Sequence, residues 1–258
     1  MPIITLTTDF GNDDPFDGVM KGVILNICPY ANIVDLTHNI SPQDIFQANF
    51  LLHSCYKYFP QKTIHVCVVD PGVGSLRKPI LIESKNYFFI GPDNGLFTSI
   101  LEKEEIKSVF ELTKKKYWLK KVSQTFHGRD IFAPVSAYLA KGIKPHQCGK
   151  KIKKEDLVTL PLNKVVKTEF SRKGIVQYID HFGNLITNIP NNNLPAQISG
   201  SFNKINFKGL VSGFAQASPQ RLTAIKGSSD YMELFIFKGN AAKYTHAKIG
   251  DKVEVTFR

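Results

Sequence analysis

A short apolar strand that runs straight into a carboxylate and two glycines constrains this chain most. Val66-Cys67-Val68-Val69 leads directly into Asp70-Pro71-Gly72-Val73-Gly74, with Arg77 three residues on. A buried strand ending this way delivers its carboxylate to the sheet edge, where open α/β sheets place their ligands. Glycines at 72 and 74 allow positive φ and close approach of other backbone. A second polar turn, Thr125-Phe126-His127-Gly128-Arg129-Asp130, precedes the apolar run Ile131-Phe132-Ala133-Pro134-Val135. Brought together, Asp70, Arg77 and His127 are able to hold and polarise a small nucleophile. Each also has an ordinary structural explanation: Asp70 as a turn cap, Arg77 as a solvated charge, His127 as a core histidine.

The chain around these turns alternates strands with helices. Residues 3–8, 33–36, 63–69, 79–83 and 86–90 read as strands. Phe16, Val19, Met20, Val23, Ile24 and Ile27 recur at helical spacing. Ser41 and Pro42 predict the start of a helix that runs to about Tyr58, and further helices are expected over about 95–102 and 132–140. This order predicts an α/β N-terminal domain with a largely parallel sheet covered by helices on both faces. Beyond Pro161 the helical period fades, and short strand-like runs follow at 174–180, 184–189, 203–207, 221–226, 231–237 and 252–257. Such runs suggest a compact barrel or sandwich. The two domains are expected at 1–163 and 168–258.

Composition excludes several classes. No uninterrupted apolar stretch of about 18 residues occurs, so a spanning helix is not expected. The first residues lack the basic-then-apolar order of a secretory leader. The four cysteines, Cys28, Cys55, Cys67 and Cys148, form no Cys-x-x-Cys pair and read as reduced thiols of a cytoplasmic protein. The net charge of +11 suggests nucleic acid at first sight. Residues 1–100, however, carry 6 basic and 9 acidic side chains; the excess lies later, in Lys114-Lys115-Lys116, Lys120-Lys121, Lys150-Lys151 and Lys153-Lys154. These lysine runs lack the arginines and interleaved aromatics of a nucleic-acid groove and read as solvated faces.

Four further polar turns complete a pattern: Thr8-Asp9-Phe10-Gly11, Gly91-Pro92-Asp93-Asn94-Gly95, Asp180-His181-Phe182-Gly183-Asn184 and Gly227-Ser228-Ser229-Asp230-Tyr231. With Gly18-Val19-Met20-Lys21-Gly22-Val23-Ile24, Ile33-Val34-Asp35-Leu36-Thr37-His38 and Asn184-Leu185-Ile186-Thr187-Asn188-Ile189, they make the chain resemble, nearly end to end, the S-adenosylmethionine (SAM) hydroxide adenosyltransferases. These are adenosine-forming SAM hydrolases, relatives of the SAM-dependent fluorinase and chlorinase. The resemblance implies an α/β domain followed by a smaller all-β barrel domain. It also implies hydrolysis of SAM to adenosine and L-methionine by attack of water or hydroxide on the ribose 5′ carbon; since the sequence offers no convincing ligand cluster and the cationic substrate supplies its own leaving group, no cofactor or metal is expected. It implies a homotrimer whose sites lie at subunit interfaces.

Residue by residue, the resemblance makes Asp70, Arg77 and His127 the group that activates water. Asp9 becomes the acceptor for both ribose hydroxyls, and a bidentate acceptor suits a vicinal diol. Phe182 and Asn184 match the motif that recognises adenine, Asp180 a residue that binds the methionine ammonium, and Ser228 and Ser229 the serines at the methionine end. The chain departs from the family's pattern in two places. Gly227-Ser228-Ser229-Asp230 replaces a pattern closer to Asn-Ser-Ser-Gly, and Phe237-Lys238 stands where an Asn-Arg pair is usual.

Other readings stay open. Halogenases carry a serine where this chain has Gly128 and lack the Asp and His of positions 70 and 127; a carboxylate there repels halide. Asp9-Phe10-Gly11-Asn12-Asp13-Asp14 faintly resembles the calcium-binding start of metal-dependent nucleoside hydrolases, with Gly11 where an acid is needed. A non-enzymatic nucleic-acid-binding role would rest on charge alone.

Overall fold

The computed structural model describes residues 1–192 and 194–257. It divides into two compact units, Met1–Leu160 and Pro161–Arg258. The first contains β1 (Ile3–Thr8), α1 (Phe16–Ile27), β2 (Asn32–Thr37), α2 (Ile45–Cys55), β3 (Ile64–Val68), β4 (Pro79–Ser84), β5 (Phe88–Pro92), α3 (Thr98–Lys103), β6 (Ile106–Glu111), α4 (Ala133–Ala140), the single turn α5 (Pro145–Cys148) and β7 (Lys150–Ile152).

One seven-stranded sheet organises this unit, in the order β2-β1-β3-β5-β4-β6-β7. The β2-β1, β1-β3 and β3-β5 pairs are parallel, and the β5-β4, β4-β6 and β6-β7 pairs are antiparallel. The expected largely parallel sheet is therefore corrected to a mixed one. Only a few residues link β4 to β5, too few for a crossover, so the two must pair as a hairpin. Strand alternation builds two cores. Ile4, Leu6, Val66 and Val68 face α1 and α4, while Val69, Ile80, Ile82 and Phe89 face α2 and α3. Full burial of each such side chain contributes about 1.5–3 kcal/mol.

Two local expectations also change. α2 begins at Ile45 rather than after Ser41, with the Asp44 carboxylate accepting from the Gln47 N–H at 2.9 Å. Gln43 has φ +68°, which a helix cannot contain, so the chain enters α2 only afterwards. α4 is preceded by a π-helical turn over Gly128–Phe132, so the chain is already winding when it leaves His127.

The second unit holds β8 (Val166–Lys167), β9 (Ser171–Ile179), β10 (Leu185–Pro190), β11 (Ile198–Phe202), β12 (Ile205–Lys208), β13 (Leu210–Val211), β14 (Leu222–Lys226), β15 (Tyr231–Ile236), α6 (Ala241–Thr245) and β16 (Lys252–Phe257). Its sheet runs β12-β11-β16-β9-β10-β15-β14-β13, with β8 beside β9. β12 packs against β14 near the ends of this path, giving a nearly closed barrel around Val176, Leu185, Leu234, Val253 and Val255. The expected all-β domain is corrected in one respect: α6 follows β15, with Asn240 capping it by accepting from the Lys243 N–H at 2.7 Å. Among the described residues, no helix is long and apolar enough to cross a membrane.

Candidate functional site

Strand β3 brings Asp70 to the carboxyl-terminal edge of the first sheet, and the loop that follows folds Arg77 back onto it. Arg77 Nε donates to Asp70 Oδ1 at 3.0 Å and Nη2 to Asp70 Oδ2 at 2.5 Å. Nη2 also lies 2.6 Å from His127 Nδ1. An arginine carries no lone pair to offer, so Nδ1 is the acceptor and a neutral His127 carries its proton on Nε2. The structure thus joins the three residues singled out in the sequence. The side chains of Asp70 and Arg77 are only 6% and 8% exposed, so bulk water screens their charges little. Burial first, then the positive charge of Arg77, hold the His127 imidazole below its ordinary value, which keeps it neutral around pH 7. Arg77 Nη1 is buried without a partner among the described residues. A buried donor left open beside a carboxylate and an imidazole marks a place for a small polar species.

Three features hold the two turns in place. Gly74 has φ +78°, and a Cβ there would press into the backbone carbonyl of Gln124. Gly72, by contrast, has no positive φ and would give a Cβ only ordinary contacts, 3.4 Å to Ser75 Oγ and 3.5 Å to Arg77 Cγ. Asn94 Nδ2 donates to the Val69 carbonyl at 2.9 Å, fixing the strand end before Asp70. On the other side, the fully buried Asp130 accepts from Arg129 Nε at 2.6 Å and from the Ser123 N–H at 2.7 Å, which fastens the loop carrying His127. Gly74→Ala is therefore expected to lose about 1–3 kcal/mol of stability from the left-handed strain alone and to displace the Arg77 loop. Gly72→Ala should stay close to wild type. Thermal unfolding of both variants checks this, and equal effects would refute it.

Asp9 follows β1 and accepts from the Gln43 N–H at Oδ2, 2.8 Å away. The left-handed Gln43 is thus explained by where its N–H points. Phe10, Phe16 and Phe126 meet edge to face with centroids 5.4–5.8 Å apart, tying the Asp9 turn to the His127 turn. His38 anchors the Asp9 turn from behind. Its Nδ1 lies 2.8 Å from Thr8 Oγ1, and its carbonyl accepts from the Gly11 N–H at 2.8 Å. Among the described residues one group could hold a metal by its ligand types, Asp17, Asp35 and His38. Lys21 Nζ already bridges its carboxylates, at 2.8 Å to Asp17 and 2.6 Å to Asp35. Asp9, Asp13 and Asp14 form no such group.

The remaining candidates lie in the second unit. In the β9–β10 turn, Asp180 Oδ1 accepts from the Asn184 N–H and Oδ2 from Asn184 Nδ2, both at 2.8 Å. Asn184 is thereby oriented with its carbonyl oxygen left over, and Phe182 stands 72% exposed beside it, its ring face open to stacking. Ser228 and Ser229 occupy the β14–β15 hairpin, where Ser229 Oγ is buried without a partner among the described residues. Gln43 escaped the sequence reading, whereas Asn94 and Asp130 fell inside polar turns singled out there without a role of their own.

A two-domain α/β protein with a partly buried Asp-Arg-His group at a sheet edge is the class these features define. The SAM hydroxide adenosyltransferase N-terminal domain matches residues 4–149, and the C-terminal domain of the same family matches residues 174–254. The chain belongs to the SAM hydroxide adenosyltransferase family. It is 35% identical over 273 aligned positions to the (R)-S-adenosyl-L-methionine hydrolase of Methanocaldococcus jannaschii, covering 100% of this chain and 97% of that one. The solved structure of a conserved protein from Thermotoga maritima is 31% identical and superposes with a TM-score of 0.92, covering 98% of this chain and 100% of that chain. A fluorinase from Actinoplanes is more distant, 27% identical over 73% of this chain and 72% of its own.

Proposed function

We propose that this protein hydrolyses SAM to adenosine and L-methionine, with water or hydroxide attacking the ribose 5′ carbon. The observation that carries the reading is the continuous contact of Asp70, Arg77 and His127. The relative named (R)-S-adenosyl-L-methionine hydrolase, which matches along 97% of its length, supports it.

The sulfonium of SAM departs as a neutral thioether, so the leaving group needs no acid. The nucleophile is the difficulty, since bulk water has a pKa near ~15.7. The open Arg77 Nη1 and the Nε2–H of His127 are donors for an attacking oxygen, and cationic or polarised donors favour its deprotonated form. With His127 Nδ1 taken by Arg77, Asp70 is the member of the set with lone pairs left to accept from water. Hydroxide meeting a sulfonium cancels charge in the transition state, which a buried, weakly screened group favours.

In this reading Asp9 receives the two ribose hydroxyls, with the Gln43 N–H holding its carboxylate in place. Phe182 and Asn184 receive adenine, Asp180 the methionine ammonium, and Ser228 and Ser229 the methionine end. A homotrimer with its sites at subunit interfaces and a cytoplasmic location belong to the same proposal. No metal or organic cofactor takes part. Treatment with EDTA is therefore expected to leave turnover unchanged; loss of activity restored by a divalent ion would refute this.

Gly128 bears on the halogenase alternative. A Cβ at this position would lie 3.2 Å from both Met20 Sδ and Phe126 Cε2, so a serine at 128 would be crowded against apolar groups. The asymmetry between a carboxylate and a halide points the same way. Chromatography of SAM incubated with the purified protein tests the reading. Adenosine and methionine in equal amounts, with no 5′-halogenated nucleoside in chloride or fluoride, are expected; adenine as product would indicate glycosidic cleavage instead.

A further inference from the structure

Two stretches of the first unit, Gly18–Ile24 and Ile33–His38, take no part in the chemistry derived above, yet their charged residues converge behind Asp9. Lys21 of α1 bridges Asp17 and Asp35, and the same two carboxylates face His38, just beyond β2. His38 Nε2 lies 3.0 Å from Asp35 Oδ1 and 3.7 Å from Asp17 Oδ2, charge contacts rather than aligned hydrogen bonds. A lone pair on Nε2 would point at two negative groups, so Nε2 carries the proton. In the neutral ring Nδ1 then has only a lone pair, and the Thr8 hydroxyl, 2.8 Å away, donates to it. The same hydroxyl accepts from the Phe10 N–H at 3.2 Å, spanning Asp9 in a local side-chain turn. Thr8 is fully buried and His38 only 5% exposed, so water does not compete for these bonds. The His38 carbonyl fixes the far side of the turn through the Gly11 N–H. Every backbone group flanking Asp9 is thus tied, directly or through Thr8, to one histidine.

We propose that His38 and Thr8 are positioning residues for the Asp9 carboxylate and thereby set how strictly the protein demands an intact ribose diol. This inference rests on the reading of Asp9 as the acceptor for both ribose hydroxyls. A carboxylate that must meet two hydroxyls at once tolerates little rotation, because hydrogen bonds weaken steeply away from a straight line. The Gln43 N–H restrains Oδ2 from one side. The Thr8 hydroxyl, aimed by His38, restrains the backbone that carries the side chain. Asp17, Lys21 and Asp35 act one step further back, by fixing which ring nitrogen of His38 bears the proton. Loosening this chain costs the second hydroxyl contact first, while recognition of the base and activation of water are left alone.

Calorimetric titration of adenosine and 2′-deoxyadenosine into the intact protein and into Thr8→Val, Thr8→Ser and His38→Phe tests the proposal. Wild type is expected to prefer adenosine by about 10–100-fold, the worth of a hydrogen bond to a charged acceptor. Thr8→Val keeps the shape of the side chain without its hydroxyl, and the preference should shrink by about 3–10-fold, the worth of a neutral hydrogen bond. Thr8→Ser should restore it, and His38→Phe should lose it as Thr8→Val does. With SAM, Thr8→Val should raise KM while kcat stays close to wild type, since the attacking water is untouched. A packing fault weakens both nucleosides alike and leaves their ratio intact. An unchanged ratio in Thr8→Val therefore overturns the proposal even if both affinities fall, and so does a Thr8→Ser that fails to restore it. If His38→Phe does not fold, the two threonine variants decide the matter by themselves. A wild type without any preference for adenosine would instead refute Asp9 as the ribose acceptor, and this positioning role with it.

Discussion

Removing any one member of the Asp70, Arg77 and His127 group is expected to lower SAM turnover by about 10²–10⁴-fold, the usual worth of a positioned acid, base or donor. The three share one guanidinium: Nη2 of Arg77 serves both Asp70 and His127. Losing the arginine therefore unseats both neighbours, and the losses should not add. The choice of substitution matters, because the pair is buried. Asp70→Ala leaves a buried guanidinium without its carboxylate, which costs about 3–5 kcal/mol in comparable pairs; Asp70→Asn keeps the shape and removes the charge. Arg77→Lys retains the charge but not the fork that spans Nε and Nη2, so it should not rescue activity. The pH profile gives a further check. Because His127 is held below its ordinary value, turnover should persist as pH falls through about 6.5 and collapse only lower, when Nδ1 takes a proton and repels Arg77. Near-wild-type turnover in all three alanine variants would refute the assignment, and an acid limb above the ordinary imidazole value would refute the neutral His127.

Asp9→Ala is expected to separate ribose binding from water activation. It removes the acceptor proposed for two hydroxyls, and hydrogen bonds to a charged group are worth about 1.5–3 kcal/mol each, so adenosine should bind roughly 10²-fold more weakly or worse. Asp70→Asn should keep most of its affinity for adenosine, since only the 5′ hydroxyl reaches the group proposed to activate water. A 2′-deoxy analogue should bind the wild type more weakly but discriminate little in Asp9→Ala, where the partner it would miss is already gone. Asp9→Asn is a useful companion, since its amide oxygen can still accept from the Gln43 N–H that holds the native carboxylate at 2.8 Å. If Asp9→Ala bound adenosine normally and Asp70→Asn did not, the two carboxylates would have to exchange roles.

Much of this was legible in sequence where local chemistry decides structure. The strand ending at Asp70, the helix over 16–27 and the turn at His127 follow from apolar period and from glycines placed where backbone must come close. The mixed sheet was not read, although the short link between β4 and β5 is too brief for a parallel crossover. β6 and β7 are lysine-bearing strands at or next to the sheet edge, Ile106–Glu111 and Lys150–Ile152, so charge hides their strand character. Contacts across long separations were invisible as well. Gln43 meets Asp9 across 34 residues, and Asn94 meets Val69 across 25, so no spacing rule reaches them. Glu233 is the instructive case: one acid among five nonpolar or aromatic neighbours breaks the apolar pattern of β15, and only the ladder shows that it shares a sheet face with Ile186 and Ile225.

Turnover of SAM in water enriched in oxygen-18 tests the central claim most directly. Attack of water on the 5′ carbon predicts that adenosine carries one heavy oxygen, at its 5′ hydroxyl, and that methionine carries none. Label in methionine, unlabelled adenosine, or release of adenine in its place would contradict the account.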